Sequence, residues 1–271
     1  MDLELELDLY GKYLNDLSKN TIYNYKLDIK HFLNWKHKDE IIDEDLLEEY
    51  KLELINEFAI KTVNRKINAL NAYLKFKDIN IHIKSEKIQN QTFIDDMLDN
   101  EEAKLILAKM KEKKDKRAEA LFLGLFYTGA RVSELLQLKP RNISKDEVTI
   151  KGKGSKYRKI LVPNRLTTVL NEYAIEGRKD NGSLLFTGQR GNITRNTVFT
   201  TLKKYSKLAG VDPSKVYPHA IRHLYAKNLD SNGVGYSAIK QLLGHSLSTT
   251  DIYMQLSKKE LLDIINSISL D

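Results

Sequence analysis

The chain has 271 residues and no cysteine, which allows two compact domains and excludes both a disulfide framework and a thiolate zinc site, so a reducing, cytoplasmic setting is expected. No apolar run approaches the roughly 20 residues of a membrane span, and the start, "MDLELELDLY", is acidic where a secretion signal is basic, so an unprocessed soluble protein with no membrane partner is expected. The formal charge of +7 is unevenly placed: residues 1–85 carry 13 basic and 16 acidic side chains, while residues 151–227 carry 16 and 4. That second stretch suits a polyanion such as nucleic acid, although a solvated lysine-rich surface gives the same count.

From Thr21 onward, Ile22, Tyr25, Ile29, Phe32 and Leu33 recur at three- and four-residue steps, which predicts a helix capped by Ser18 or Asn20. A second amphipathic helix starts near Asp43. A third carries Val63, Ile67, Leu70 and Leu74 on one face, with Lys61, Arg65, Lys66, Lys75 and Lys77 around the rest. Residues 1–80 therefore read as a helical bundle. "DINIHIKSEKIQNQ" has no sustained period and predicts a linker over about 81–92.

The second domain, 93–271, opens with two helical patterns, "DNEEAKLILAKMKEK" and the nearly all-apolar "RAEALFLGLFYTGA", which Gly129 ends. "RVSELLQL" predicts a short helix, and "EVTIKGKGSKYRKILVP" alternates on both sides of a glycine turn, which predicts a hairpin. Helical patterns follow over Thr167 to Glu176, Thr194 to Leu208, Pro218 to Leu229 and Ser237 to Leu243, with a final amphipathic run through Leu261, Ile264, Ile265 and Ile268. The expected fold class is mainly α: a helical N-terminal bundle plus a mostly helical second domain with a small antiparallel sheet.

"PHAIRH" places His219, Arg222 and His223 three and four apart on one helix, with Pro218 in its first turn. Three chemistries fit: local capping, a metal site with His245, or phosphate recognition. The metal reading lacks an acidic ligand and puts a permanent cation beside the ion. In the phosphate reading Arg supplies a two-pronged donor and His a proton relay. Arg131 follows "TGA" among apolar neighbours, and Glu134 is an available ion-pair partner. Lys153 lies between two glycines in "KGKGSKYRK", where it either aims at a bound backbone or stays solvated. The tip is not a nucleotide-binding loop, because it is strand–turn–strand. Tyr253 in "LLGHSLSTTDIYMQ" reads on its own as a packing residue. A tyrosine attacking a phosphodiester needs help with its proton and fixed donors for the extra charge, and two arginines, a lysine and two histidines would supply both without a metal or cofactor.

"TGARVSELLQL", "KGKGSKYRKILVP", "HAIRH" and "LLGHSLSTTDIY", in that order, resemble the motifs of the tyrosine recombinases, the phage-integrase family. "SKNTIYNYKLDIKHFLNW" is similar to their core-binding domain, so the resemblance covers nearly the whole chain. It implies Arg131 and Arg222 as the phosphate clamp, Lys153 as acid for the leaving 5′ hydroxyl, His219 as general base and acid, His245 as a phosphate hydrogen bond and Tyr253 as nucleophile. Glu134 falls in the family's "RxSE" pattern in a supporting role, and Lys156 is close enough to Lys153 to be a second candidate acid. Leu247 stands where many relatives have a small or polar residue.

The resemblance further implies a double-stranded DNA target site, a homotetramer on paired sites and a C-terminal helix, about 258–271, that docks into a neighbouring protomer. It leaves room for an accessory protein or a second recombinase. Lys61, Arg65, Lys66, Lys156, Arg158 and Arg195 are the candidate phosphate-contacting cations outside the catalytic set, in a clamp whose domains cover opposite faces of the duplex. No segment precedes the core-binding domain, which favours an Xer-like resolver of DNA dimers over a phage-type integrase. A mobile-element integrase, a non-catalytic DNA-binding regulator and a topoisomerase with the same linkage are the competing readings.

Overall fold

The computed structural model describes residues 2–36, 40–88, 97–143, 145–152, 157–179, 182–244, 256–268 and 270. The chain divides into two compact units, Met1–Phe93 and Ile94–Asp271. None of the described helices is long and apolar enough to cross a membrane.

Among the described residues, unit 1 is a bundle of four helices, α1 (Leu3–Tyr13), α2 (Lys19–Trp35), α3 (Glu44–Glu57) and α4 (Ile60–Phe76). Ser18 caps α2 and Asp43 caps α3, each side chain accepting from a backbone N–H three residues on. Helix α1 is an addition to the sequence reading. Its leucines alternate with acids, yet Leu7, Tyr10 and Leu14 are the residues that enter the core, at helical spacing. Its carboxylates are taken up by lysines of α2 and just beyond α4: Glu4 by Lys30 at 2.6 Å, Asp8 by Lys26 at 2.5 Å and Glu6 by Lys77 at 2.8 Å.

Val63, Ile67, Leu70 and Leu74 of α4 fill the core with Ile29, Phe32, Leu47 and Tyr50. Lys66, expected among the surface cations, is instead buried, with its ammonium 3.6 Å from the buried Asp28 and 4.7 Å from the Phe58 ring centre. Arg65 pairs with the same carboxylate but keeps an exposed side chain, and Lys61 is exposed. Burial raises the Asp28 carboxyl, and the two cations pull it back. The charges around α4 therefore serve two purposes, and Lys66 belongs to the interior.

Residues 81–88, expected to be a linker, have no helix or strand but are pinned to α4. The Asn71 amide exchanges two hydrogen bonds with the backbone of Ile83, both 2.9 Å, and the Asn64 amide does the same with Glu86 at 2.9 and 2.8 Å. Ile83 is buried in the core of unit 1.

Unit 2 is built around α6 (Lys116–Thr128), buried at every position from Ala118 to Thr128 and packed against α5 (Asn100–Glu112), α8 (Asn164–Glu172), α9 (Arg195–Leu208) and α10 (Pro218–Ser231). The one-turn helix α7 (Val132–Leu135) follows α6. The hairpin pairs β1 (Glu147–Lys151) with β2 (Tyr157–Leu161), antiparallel, with Ile150 opposite Arg158. Two short strands, β3 (Thr187–Gly188) and β4 (Gly191–Asn192), form a second pairing that sequence reasoning missed. The chain closes with α11 (Tyr236–Leu243) and α12 (Lys258–Ser267).

Helix α12 was expected to dock into a neighbour. It packs on its own unit, where Leu261 and Ile265, with Ile268 and Leu270 just after the helix, join the core around α6. The same apolar face that could meet a neighbour here covers part of this unit's core. Lys258 secures the start of α12 to Asp146 at 2.8 Å.

Candidate active site

The site forms where α6, α7, α10, α11 and β2 meet. Helix α6 ends because Gly129 takes a left-handed conformation, φ +56°, and no other residue fits there: a Cβ would lie 2.4 Å from the Tyr225 ring. The chain then turns directly into α7 with Arg131 as its N-cap residue. Tyr225 of α10 presses on the turn, and Arg222, one helical turn before it, reaches the same corner.

Arg222 is 6% exposed. Its Nη1 donates to the Gly129 carbonyl at 2.5 Å and its Nη2 to the Leu243 carbonyl at 2.7 Å. Both acceptors belong to the ends of helices, where carbonyls lack intrahelical partners and carry the negative end of the helix dipole. Burial, followed by the charges of Arg131 and Arg158, pushes Arg222 down to about 10, which leaves it fully cationic at neutral pH.

Glu134 is 1% exposed and receives four donors. Arg131 supplies its backbone N–H at 2.8 Å and Nη1 at 3.0 Å; Arg158 supplies Nη2 at 2.8 Å and Nε at 3.2 Å. Burial alone would raise this carboxyl, but the Arg158 bonds and the Arg131 N–H outweigh it and hold it at about 2. The side chain of Arg131 remains one-third exposed. Two guanidinium groups thus engage one carboxylate, with the Arg222 charge close enough to feel it, which leaves a net positive corner suited to an anion.

His219 stands on the exposed side of the first turn of α10, with His223 one turn further. Partial desolvation, then Arg222, His223 and Arg131, lower the His219 imidazole below the usual histidine range. These influences favour the neutral imidazole, which can accept a proton beside two arginines.

The structure thus brings Arg131, His219 and Arg222 together. Arg158, a candidate phosphate-contacting cation, is largely buried, its guanidinium engaged by Glu134 and, at 3.3 Å, by the Leu242 carbonyl. Its packing against Gly244 carries no sequence signal. Lys153, Lys156, His245 and Tyr253 lie outside the described residues. Their flanks are fixed: Tyr157 pairs with Lys151 across the hairpin, and Leu256 exchanges two hydrogen bonds with the Gln241 amide at 3.1 and 3.2 Å. Arg195 is exposed at the start of α9. Next to it in the chain, Thr194 lines an open cleft of about 1300 Å³ with Lys113, Lys116, Arg117, Arg190 and Lys204. This cleft lies at the N-terminal end of α6, about 20 Å along the helix from the arginine corner at its other end.

Residues 96–260 match the model of the phage integrase family. Tyrosine recombinase XerA of Pyrococcus furiosus is 33% identical over 97% of this chain and 91% of its own length. The chain belongs to the phage integrase family, the tyrosine recombinases. Among solved structures, XerA recombinase is 26% identical with a TM-score of 0.50, covering 96% of both chains. A lambda integrase tetramer bound to a Holliday junction aligns with a TM-score of 0.71 at 18% identity, over 94% of this chain and 78% of the other, and so shares the fold. The recombinase family match spans all the described site residues, from Arg131 to Arg222, and reaches the first turn of α12.

Proposed function

We propose that this recombinase cuts and rejoins double-stranded DNA at a specific site through a 3′-phosphotyrosyl intermediate, in an Xer-like role that resolves DNA dimers. Unit 1 serves as the core-binding domain and unit 2 as the catalytic domain. The observation that carries the reading is the convergence of Arg131, Arg222 and His219 on one positive corner, tied together through Glu134 and two helix ends.

The Tyr253 phenol attacks the scissile phosphorus, and His219 takes the phenolic proton. The bond from phosphorus to the 5′ oxygen breaks, and Lys153 delivers a proton to that oxygen. Arg131 and Arg222 neutralise the charge that builds on the non-bridging oxygens, and His245 donates to one of them. A 5′ hydroxyl from a second strand then reverses the steps. One phosphoester replaces another throughout, so no external energy source is needed. Four protomers on paired sites supply the strands to be exchanged, as in the lambda integrase tetramer on its junction. The cationic cleft at the far end of α6 extends the surface available to the DNA backbone. A cytoplasmic location follows from this role.

The test is a target duplex nicked just beyond the cleavage point, from which the short 5′-hydroxyl fragment diffuses away. A denaturant-resistant protein–DNA adduct should accumulate in EDTA, and Tyr253→Phe should abolish it while DNA binding persists. An adduct in Tyr253→Phe, or a requirement for a divalent metal, would overturn the mechanism.

A further inference from the structure

The arginine corner contains one guanidinium that the proposed chemistry does not use. Arg158 sits on β2, just after the hairpin tip, with its side chain 15% exposed. It meets Glu134 side-on, one donor to each carboxylate oxygen, and each of those oxygens also takes one donor from Arg131. The same guanidinium reaches across to α11, where Nη1 donates to the Leu242 carbonyl at 3.3 Å. It lies so close beneath Gly244 that a Cβ there would come within 2.6 Å of the Arg158 Cδ and 2.8 Å of its Nη1. Gly244 has φ +66° and ends α11, immediately before His245. Arg158 therefore joins three chain segments: the strand behind Lys153, the N-cap of α7 with Arg131, and the end of α11.

We propose that Arg158 is a positioning residue for phosphate transfer, which holds Arg131 through the shared Glu134 carboxylate and fixes the end of α11, and makes no phosphate contact itself. This rests on the reading of Arg131 as a phosphate ligand. A carboxylate with two oxygens and four well-placed donors has a single orientation, and its buried charge is tolerated only while both arginines are present. Removing Arg158 takes away half of the donors. Glu134 is then free to rotate or protonate, and Arg131 loses the partner that sets its direction. A lysine at 158 restores the charge but not the planar two-pronged match.

The experiment uses the full chain and a nicked duplex of the sequence that the wild-type protein selects from a randomised pool. Adduct formation is measured in single turnover at saturating protein, and binding is measured over a range of salt. Arg158→Lys and Arg158→Gln should both slow the adduct on the order of 100-fold, the effect of a small misplacement of a phosphate ligand. Their salt slopes should equal the wild type. A phosphate contact would instead lower the slope by about 0.9 in Arg158→Gln and leave Arg158→Lys close to wild type, and that pattern would overturn the proposal.

A pH profile separates positioning from general damage. With Arg158 gone, fewer donors offset the burial that raises the Glu134 carboxyl, so adduct formation by Arg158→Gln should begin to fall at a higher pH on the acid side than in the wild type. That extra acid limb should vanish in the Glu134→Gln/Arg158→Gln double variant, which also keeps the buried charge balanced if the single variant folds poorly. An unaltered profile in Arg158→Gln would sink the idea. Arg131→Gln is the control for the underlying reading: if it forms adduct at the wild-type rate, the site assignment fails. If Arg131→Gln is slow while both Arg158 variants are fast, only the positioning role fails.

Discussion

Arg222 and Gly129 stand 93 positions apart, and the guanidinium of the first donates to the carbonyl of the second at 2.5 Å. A residue proposed to bind the phosphate is thus also the pin between the ends of α6 and α11. Arg222→Ala should leave the Gly129 and Leu243 carbonyls without this donor and lower stability by about 2–5 kcal/mol, besides slowing adduct formation by roughly 100-fold or more. Thermal unfolding alongside single-turnover kinetics checks both. An unchanged melting temperature would show that the two carbonyls find other donors.

Acid stability should depend on Glu134. Its carboxyl is held at about 2 against an ordinary 4.5, so the stability it contributes is fully present above pH 4.5 and is lost as the pH falls toward 2. The size is on the order of 3 kcal/mol at neutral pH for so buried a group. The gap in unfolding free energy between wild type and Glu134→Gln should therefore narrow over that window. A gap that stays constant from pH 6 to pH 2.5 would contradict the assignment.

His219 should titrate below 6.5 in the free protein, by NMR of its ring protons. Because the unfolded chain takes up its proton first as the pH falls, this histidine contributes a loss of stability on the acid side of 6.5. Replacing the exposed His223 by glutamine removes one of the groups that lower it, and the midpoint should move up. A midpoint above 6.5 in the wild type would remove the neutral base from the mechanism.

The apolar face of α12 cannot fill its own unit and a neighbour's at once. Ile265→Ala should cost the monomer about 2–5 kcal/mol, the usual cost of a cavity at a fully buried position. If the same face docks in trans on DNA, cooperative occupancy of paired sites should fall while single-site binding persists, as read by stepwise band shifts. A monomer of unchanged stability would mean that the cis packing contributes little.

Much of this was legible in the residues. The helices of unit 2, the hairpin and the pairing of Arg131 with Glu134 follow from apolar spacing, turn chemistry and an i, i+3 relation. Helix α1 was not legible, because leucine at every second position from Leu3 to Leu9 signals a strand, and the helix depends on lysines of α2 and beyond α4 that take up its carboxylates. The burial of Arg158 and Lys66 was not legible for one reason: a cation's partner can lie 24 or 38 positions away, and charge counts carry no trace of it.

The two asparagines of α4 also act as a gauge of length. Asn64 and Asn71 are two helical turns apart, about 10.5 Å, and the residues they grip, Ile83 and Glu86, are three extended steps apart, about 10 Å. The match leaves no slack between the grips. One residue inserted between Ile83 and Glu86 would throw one pair of hydrogen bonds out of register and lift Ile83 or Glu86 from its place. The same insertion after Glu86, at the exposed Lys87 or Ile88, would disturb neither grip, so within this segment tolerance to added length begins after Glu86.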